Sequence, residues 1–194
     1  VTYTGYTYDR LNYNWMFGNN AGINFNPIKT GATPTIFSGA MQTQEGCATI
    51  SNSEGELLFY TNGETIYTSG HTVMINGTGL SSSGTSTQSA LIVPQPDSNK
   101  YYVFTTDFNG SPNGFEYSIV NMELDDGNGE VETKNIKLIN SAVSEKVTGC
   151  NHGSEDAYWV VTHTSGDSRY YSYKLNSVGL SGPIISDTGS THNT

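Results

Sequence analysis

Oxygen-bearing and nucleophilic side chains are the first places to look for chemistry. Asp125, Asp126, Asn128 and Glu130 are interleaved with Gly127 and Gly129 in one short run. Oxygen ligands packed this closely can hold Ca²⁺, which accepts several oxygens in a flexible geometry. The run lacks the full spacing of a calcium loop and a distal bidentate Glu in register, and Gly-Asn-Gly suits a hairpin turn between outer strands equally well. Calcium is the only cofactor the sequence suggests. Asp107, Asp156 and Asp167 fall at expected strand ends and read as turn residues. His71, His152, His163 and His192 show neither H-x-H nor H-E-x-x-H spacing, so zinc is not expected. There is no G-x-S-x-G nucleophile elbow, and no catalytic residue is assigned.

Two further residue classes could bind rather than react. Tyr3, Tyr6, Tyr8 and Tyr13 cluster near one end of the chain and Tyr170, Tyr171 and Tyr173 near the other. Aromatic surfaces stack on sugars or on protein partners, but alternating Tyr is also what an outer strand with one wet face requires. Asn76-Gly77-Thr78 and Asn109-Gly110-Ser111 match the N-glycosylation sequon and also read as turns. The run from Gly79 to Thr87 has the Ser/Gly/Thr composition of an exposed loop.

The elements that position these residues are strands. Apolar segments are short, rich in Val, Ile, Tyr and Phe, and punctuated by Gly, Asn, Asp, Ser and Pro. Three blocks line up: Leu57 to Gly63, Tyr101 to Asp107 and Ala157 to His163. Each is preceded by another strand (Cys47 to Ile50, Ser89 to Val93, Val147 to Cys150) and followed after a turn by a third (Thr65 to Thr68, Phe115 to Met122, Arg169 to Leu175). Fourth strands are expected at Thr72 to Ile75, Val131 to Leu138 and Pro183 to Ser186. Near the start, Asn14 to Phe17 and Ala21 to Phe25 form a hairpin, with Pro34 to Phe37 as an outer strand. The offset of roughly 43 to 56 residues, four strands per unit, is the blade period of a β-propeller. The expected fold is therefore all-β and β-propeller-like. About four four-stranded blades cover residues 1–43, 44–86, 87–142 and 143–194, as part of a larger ring such as a seven-bladed one. A β-sandwich is the competing architecture. In the propeller frame Cys47 and Cys150 lie on inner strands two blades apart, too far for a disulfide, and read as two small buried residues.

Composition narrows the function classes. The chain has 194 residues, 8 Lys+Arg against 18 Asp+Glu, and a net charge of −10. With no basic cluster to meet phosphates, neither a nucleic-acid nor an anionic-membrane partner is expected. No apolar run reaches the roughly 18 residues of a membrane span. Charged residues make up only 13%, with aromatics at 11%, which argues against an acidic disordered tail.

Several of these segments together resemble a known pattern. They are Glu45 to Ser51, Leu58 to Gly63, Met74 to Leu80, Ser86 to Pro96, Tyr117 to Met122 and Tyr158 to His163. The pattern is similar to the N-terminal propeller-like region of very large cell-surface proteins of Bacteroidota. Such proteins carry adhesin-type repeats and a C-terminal type IX secretion or gliding-motility sorting domain. The resemblance implies an extracellular or outer-surface setting and a non-enzymatic role in adhesion or surface assembly, with a protein or glycan partner. It also implies that the chain is a fragment of something longer, consistent with a start at Val1. The turn Ser51-x-Ser53-x-Gly55-x-x-Leu58 is similar to the Asp-box of sialidase-like propellers, with Ser53 at the Asp position. A sialidase needs three Arg around the substrate carboxylate, and this chain has only Arg10 and Arg169. Two other roles stay open: a subunit of an extracellular filament, which would self-associate, and a carbohydrate-active propeller enzyme, which would need a convergent pair of carboxylates.

Overall fold

Side-chain type explains why the chain forms sheets. Lys-Tyr-Tyr-Val-Phe-Thr-Thr at Lys100–Thr106 is built from aromatic and β-branched residues, which pack well on a pleated surface. The computed structural model describes residues 10–26, 31–108, 111 and 113–191. Among these residues there are fifteen strands, a 3-10 turn at Asp125–Gly127 and no α-helix.

The strands run up and down in chain order. β1 (Asn14–Met16), β2 (Ala21–Asn24) and β3 (Thr35–Ser38) make a three-stranded antiparallel sheet. Asn19 and Asn20, at φ 57° and 60°, supply the left-handed turn that joins β1 to β2. A second run comprises β4 (Ala48–Ser51), β5 (Leu57–Thr61), β6 (Thr65–Thr68) and β7 (Val73–Thr78). A third comprises β8 (Ala90–Pro94), β9 (Lys100–Thr106), β10 (Phe115–Asn121) and β11 (Glu130–Ile139). The fourth is a separate four-stranded sheet of β12 (Val143–Asn151), β13 (Ala157–Thr164), β14 (Arg169–Asn176) and β15 (Gly179–Asp187).

The fold is all-β, and its strands fall where the sequence repeats place them. The sequence predicts four separate four-stranded units, and here the structure differs. The second and third runs form one eight-stranded sheet in the order β4-β5-β6-β7-β11-β10-β9-β8. Its seam is a single parallel bridge between Ile75 and Glu130. Side chains stitch this seam: Asn76 Nδ2 donates to Val131 O at 2.7 Å, Lys134 Nζ to Thr78 O at 2.8 Å and Asn135 Nδ2 to Gly79 O at 2.9 Å. At the other end β4 lies beside β8, so the sheet curls into a nearly closed, barrel-like form. The first sheet has three strands among the described residues.

Apolar side chains fill three layers between successive runs. Met16, Met41 and Tyr60 pack between the first sheet and the second run. Phe59, Ile66, Met74, Val103, Val120 and Val131 fill the space between the second and third runs. Phe104, Phe115, Val147, Val160, Tyr173 and Leu175 lie between the third and fourth. β9 serves two layers at once, with Val103 facing one way and Tyr102 and Phe104 the other, all three buried. A strand buried on both faces must be apolar at successive positions, which is the pattern Tyr102-Val103-Phe104 carries. In β13, Val160 is buried but Trp159 and Val161 are half-buried, because their face points away from the third run.

The Gly79 to Thr87 segment departs from its expected exposure. Leu80 and Ser86 are buried. Leu80 N donates to Glu64 O at 3.0 Å, and Ser82 Oγ donates to Thr106 O at 2.8 Å. Thr87 gives both its N–H and its Oγ1 hydrogen to Glu145 Oε2, each at 2.8 Å. The segment is a strap across the second, third and fourth runs.

Candidate functional site

Each run begins with an inner strand, and these four strands (β1, β4, β8 and β12) are neighbours in that order. Their proximity comes from small residues. A Cβ on Gly149 of β12 would meet Leu91 Cδ2 at 3.3 Å and the Trp159 carbonyl at 3.2 Å, so glycine lets β12 close on β8. Met16 N donates to Thr49 Oγ1 at 3.0 Å and the Cys47 thiol to Met16 O at 3.2 Å, which ties β1 to the second run. Burial pushes the Cys47 thiol pKa up, which keeps it in the protonated, donating form.

Two clefts open along these inner strands. One, of about 250 Å³, lies between β1 and the second run and is lined by Asn12, Trp15, Phe17 and Thr49 among others. The other, of about 210 Å³, has Ile50, Leu91 and Val93 as its apolar wall and Asn12, Asn151 and Tyr158 as polar or amphipathic members. Asn12 belongs to both. Among the described residues, none that lines either cleft is Asp, Glu, Lys, Arg or His. Trp15 is 50% exposed and stands at the rim. Its indole N–H donates to Asn12 O at 3.0 Å. Phe25 meets it edge-on at 5.2 Å and Phe17 at 6.3 Å. The ring is therefore held in place while half its surface stays in solvent.

The residues singled out by sequence are scattered over other parts of the molecule. Asp125, Asp126 and Asn128 are exposed in the turn between β10 and β11, and Glu130, the first residue of β11, is half-buried. Asp125 and Asp126 take left-handed φ values of 49° and 52°. Asn128 spends both its backbone N–H and its Nδ2 on the Asp125 carbonyl, each at 2.9 Å. Among the described residues no group of three or more His, Cys, Asp or Glu side chains is placed to hold a metal ion. The geometry of this run is that of a self-bonded tight turn.

Cys47 and Cys150 are both free thiols, separated by β8. The expectation that both are buried is corrected: Cys47 is half-buried and Cys150 exposed, because inner-strand edges face the clefts. Asn62, Asp107 and His163, equivalent positions in three repeats, are all buried at strand ends. Asn62 Oδ1 accepts from the N–H groups of Glu64 and Thr65, and the Asp107 carboxylate from Phe108 N, Ser111 Oγ and Asn113 Nδ2. His163 packs edge-on against Tyr170 at 4.5 Å. His71 Nδ1 lies 3.2 Å from the Tyr60 hydroxyl, His152 packs on Trp159, and His192 lies outside the described residues.

Tyrosine roles differ from a simple wet-faced strand. Tyr173 is buried in the third layer, where burial pushes its pKa up to about 12, and Tyr170 and Tyr171 are half-buried. Tyr3, Tyr6 and Tyr8 lie outside the described residues, as does Asn109. Asn76 uses its amide in the seam described above. In the turn beginning at Ser51 it is Asn52, not Ser53, that caps: its Oδ1 accepts from Glu54 N at 3.0 Å and Glu56 N at 2.9 Å, and Gly55 takes φ +85°. Arg10 and Arg169 are engaged separately, with Glu54 at 3.5 Å and Asp167 at 2.5 Å. Asp156 is exposed in the turn between β12 and β13.

Sequence reading passed over Asn12, Trp15 and Asn151. The only local signal was an aromatic pair, Trp15 and Phe17, alternating on a short strand beside asparagines. No family model, no curated protein and no solved structure matches the chain.

Proposed function

We propose that the chain is a non-enzymatic binding module of a large secreted bacterial surface protein, acting in adhesion or surface assembly. In this reading its four runs are the blades of a propeller-like scaffold within a larger ring, and the setting is the outer surface of a bacterium such as a member of Bacteroidota. The observation that carries the reading is the layered stack itself. Successive up-and-down runs pack face to face with inner strands side by side, a rigid frame that leaves inner edges and loops for contact. The clefts along those edges are lined by aromatic, amide and aliphatic groups, which suit binding, and no carboxylate pair lines them among the described residues.

The test is to incubate the fluorescently labelled chain with intact bacterial cells and with polysaccharide-coated beads, alongside chromogenic glycosides. Saturable surface binding with no release of chromophore is the expected result. Hydrolysis by the purified chain, or no binding to any surface, overturns the reading.

A second reading, a subunit of an extracellular filament, draws on the outward faces of the first and last sheets. Ile36 is 87% exposed on β3 and Ile184 57% exposed on β15.

A further inference from the structure

The two inner-strand clefts are neighbours, and Asn12 lines both. At about 250 and 210 Å³, each is a little smaller than the roughly 300–1,000 Å³ of common ligand clefts, as suits a site for one or two sugar rings of a chain. Between them the two clefts make up a groove lined by residues of all four runs. Its most unusual property is charge: in a chain of net −10, none of the described residues that line it is charged. A charged ligand would find no counter-charge among these residues to offset its desolvation.

We propose that this groove binds a neutral polysaccharide, with Trp15 as the stacking platform for one sugar ring. The inference rests on the binding-module reading and names its ligand class. Three observations converge on a sugar. The Trp15 indole is immobilised through Asn12 O and the edges of Phe17 and Phe25, yet is half exposed, so ordering it on binding costs little. The face of an aromatic ring carries negative charge density that attracts the polarised C–H bonds on the flat side of a pyranose. Exposed carboxamides at Asn12 and Asn151 supply donors and acceptors together, as a hydroxyl-rich and uncharged ligand requires. The aliphatic wall of Ile50, Leu91 and Val93 accepts the less polar edge of the chain.

The chain has two tryptophans, so Trp159→Phe leaves Trp15 as the sole indole reporter. Its fluorescence is followed during titration with maltohexaose, cellohexaose, chitohexaose and mannohexaose, and with hexagalacturonate as a charged comparison. At least one neutral hexasaccharide is expected to shift Trp15 emission saturably, while hexagalacturonate does not. The affinity should stay flat between about 50 and about 500 mM NaCl, since no ion pair is screened. In calorimetry Trp15→Ala and, independently, Asn12→Asp should each weaken binding by about tenfold or more. Asn12 is an exposed side chain, so Asn12→Asp changes the groove's charge without disturbing a core, and near-ultraviolet circular dichroism verifies the fold of both variants. Silence of Trp15 toward every neutral hexasaccharide up to about 10 mM overturns the proposal, as does binding that both variants leave unchanged. If cells are still bound in that event, only the sugar assignment fails; if they are not, the binding-module reading fails with it.

Discussion

Asp167 is held ionised by hydrogen bonds more than by its surroundings. Thr164 Oγ1 donates to it, and Arg169 adds its backbone N–H at 2.9 Å and its guanidinium at 2.5 and 2.7 Å, which lowers the pKa from 3.8 to about 2. A carboxyl group whose pKa is lower folded than unfolded stabilises the native state above its unfolded value, and that contribution is lost as pH falls through the folded one. Urea denaturation of Asp167→Asn should therefore give a smaller stability than the parent at about pH 6, by at most about 1 kcal/mol for so exposed a pair. The gap should close between pH 3.8 and about 2. A gap that persists at the acid end would assign the loss to the turn geometry instead. Asn62 and Asn52 work in a similar way without charge, each satisfying two backbone N–H groups at a strand end. Such residues are legible only as turn formers: the Asp-box-like motif puts Ser53 at the Asp position, and the hydrogen bonds belong to its neighbour Asn52.

At the scale of elements, a middle strand buried on both faces carries much of the stability. Phe104 of β9 is fully buried, stacked on Phe115 at 5.7 Å and close to Tyr102 and Tyr117. Phe104→Ala should cost about 3–5 kcal/mol in chemical denaturation, the loss of transfer energy plus a cavity. Val178→Ala, at 93% exposure, should stay within about 0.5 kcal/mol. Equal effects would mean that the third layer is not packed as described. Strands of this kind could be read directly from sequence, because Tyr102-Val103-Phe104 can only be accommodated where both faces are dry. The outer strands were read too short. β7 continues through Asn76 and Gly77 to Thr78, and β15 begins at Gly179, four residues before the expected Pro183. Glycine and a left-handed asparagine look like turn signals in one dimension, yet at a sheet seam they provide bends and side-chain bridges. The joining of β7 to β11 had no local signature at all, since it depends on Asn76 and Asn135 reaching the backbone of the opposite strand. The groove was hidden for the same reason: its walls come from segments far apart in the chain, each of which alone looks like an ordinary strand.

As a whole, the molecule is a stack with two unlike ends. The first sheet turns Ile36 outward, and the last turns Ile184 and Val161. Apolar faces at both ends of a stack permit head-to-tail association, which generates rings or filaments. On the filament reading, light scattering should give a mass that rises with concentration, and Ile36→Lys should restore that of one 20.9 kDa chain. A constant single-chain mass for the parent protein excludes it. On the binding-module reading proposed above, the strap from Gly79 to Thr87 has a mechanical consequence. Layers joined only by oily faces slide over one another when pulled sideways, since dispersion contacts have no direction. Here Ser82 and Ser86 grip the end of β9 while Thr87 grips Glu145 at the start of the fourth run. Tension between the third and fourth runs therefore passes through two anchor points on the strap, and at each of them a pair of hydrogen bonds shares the load.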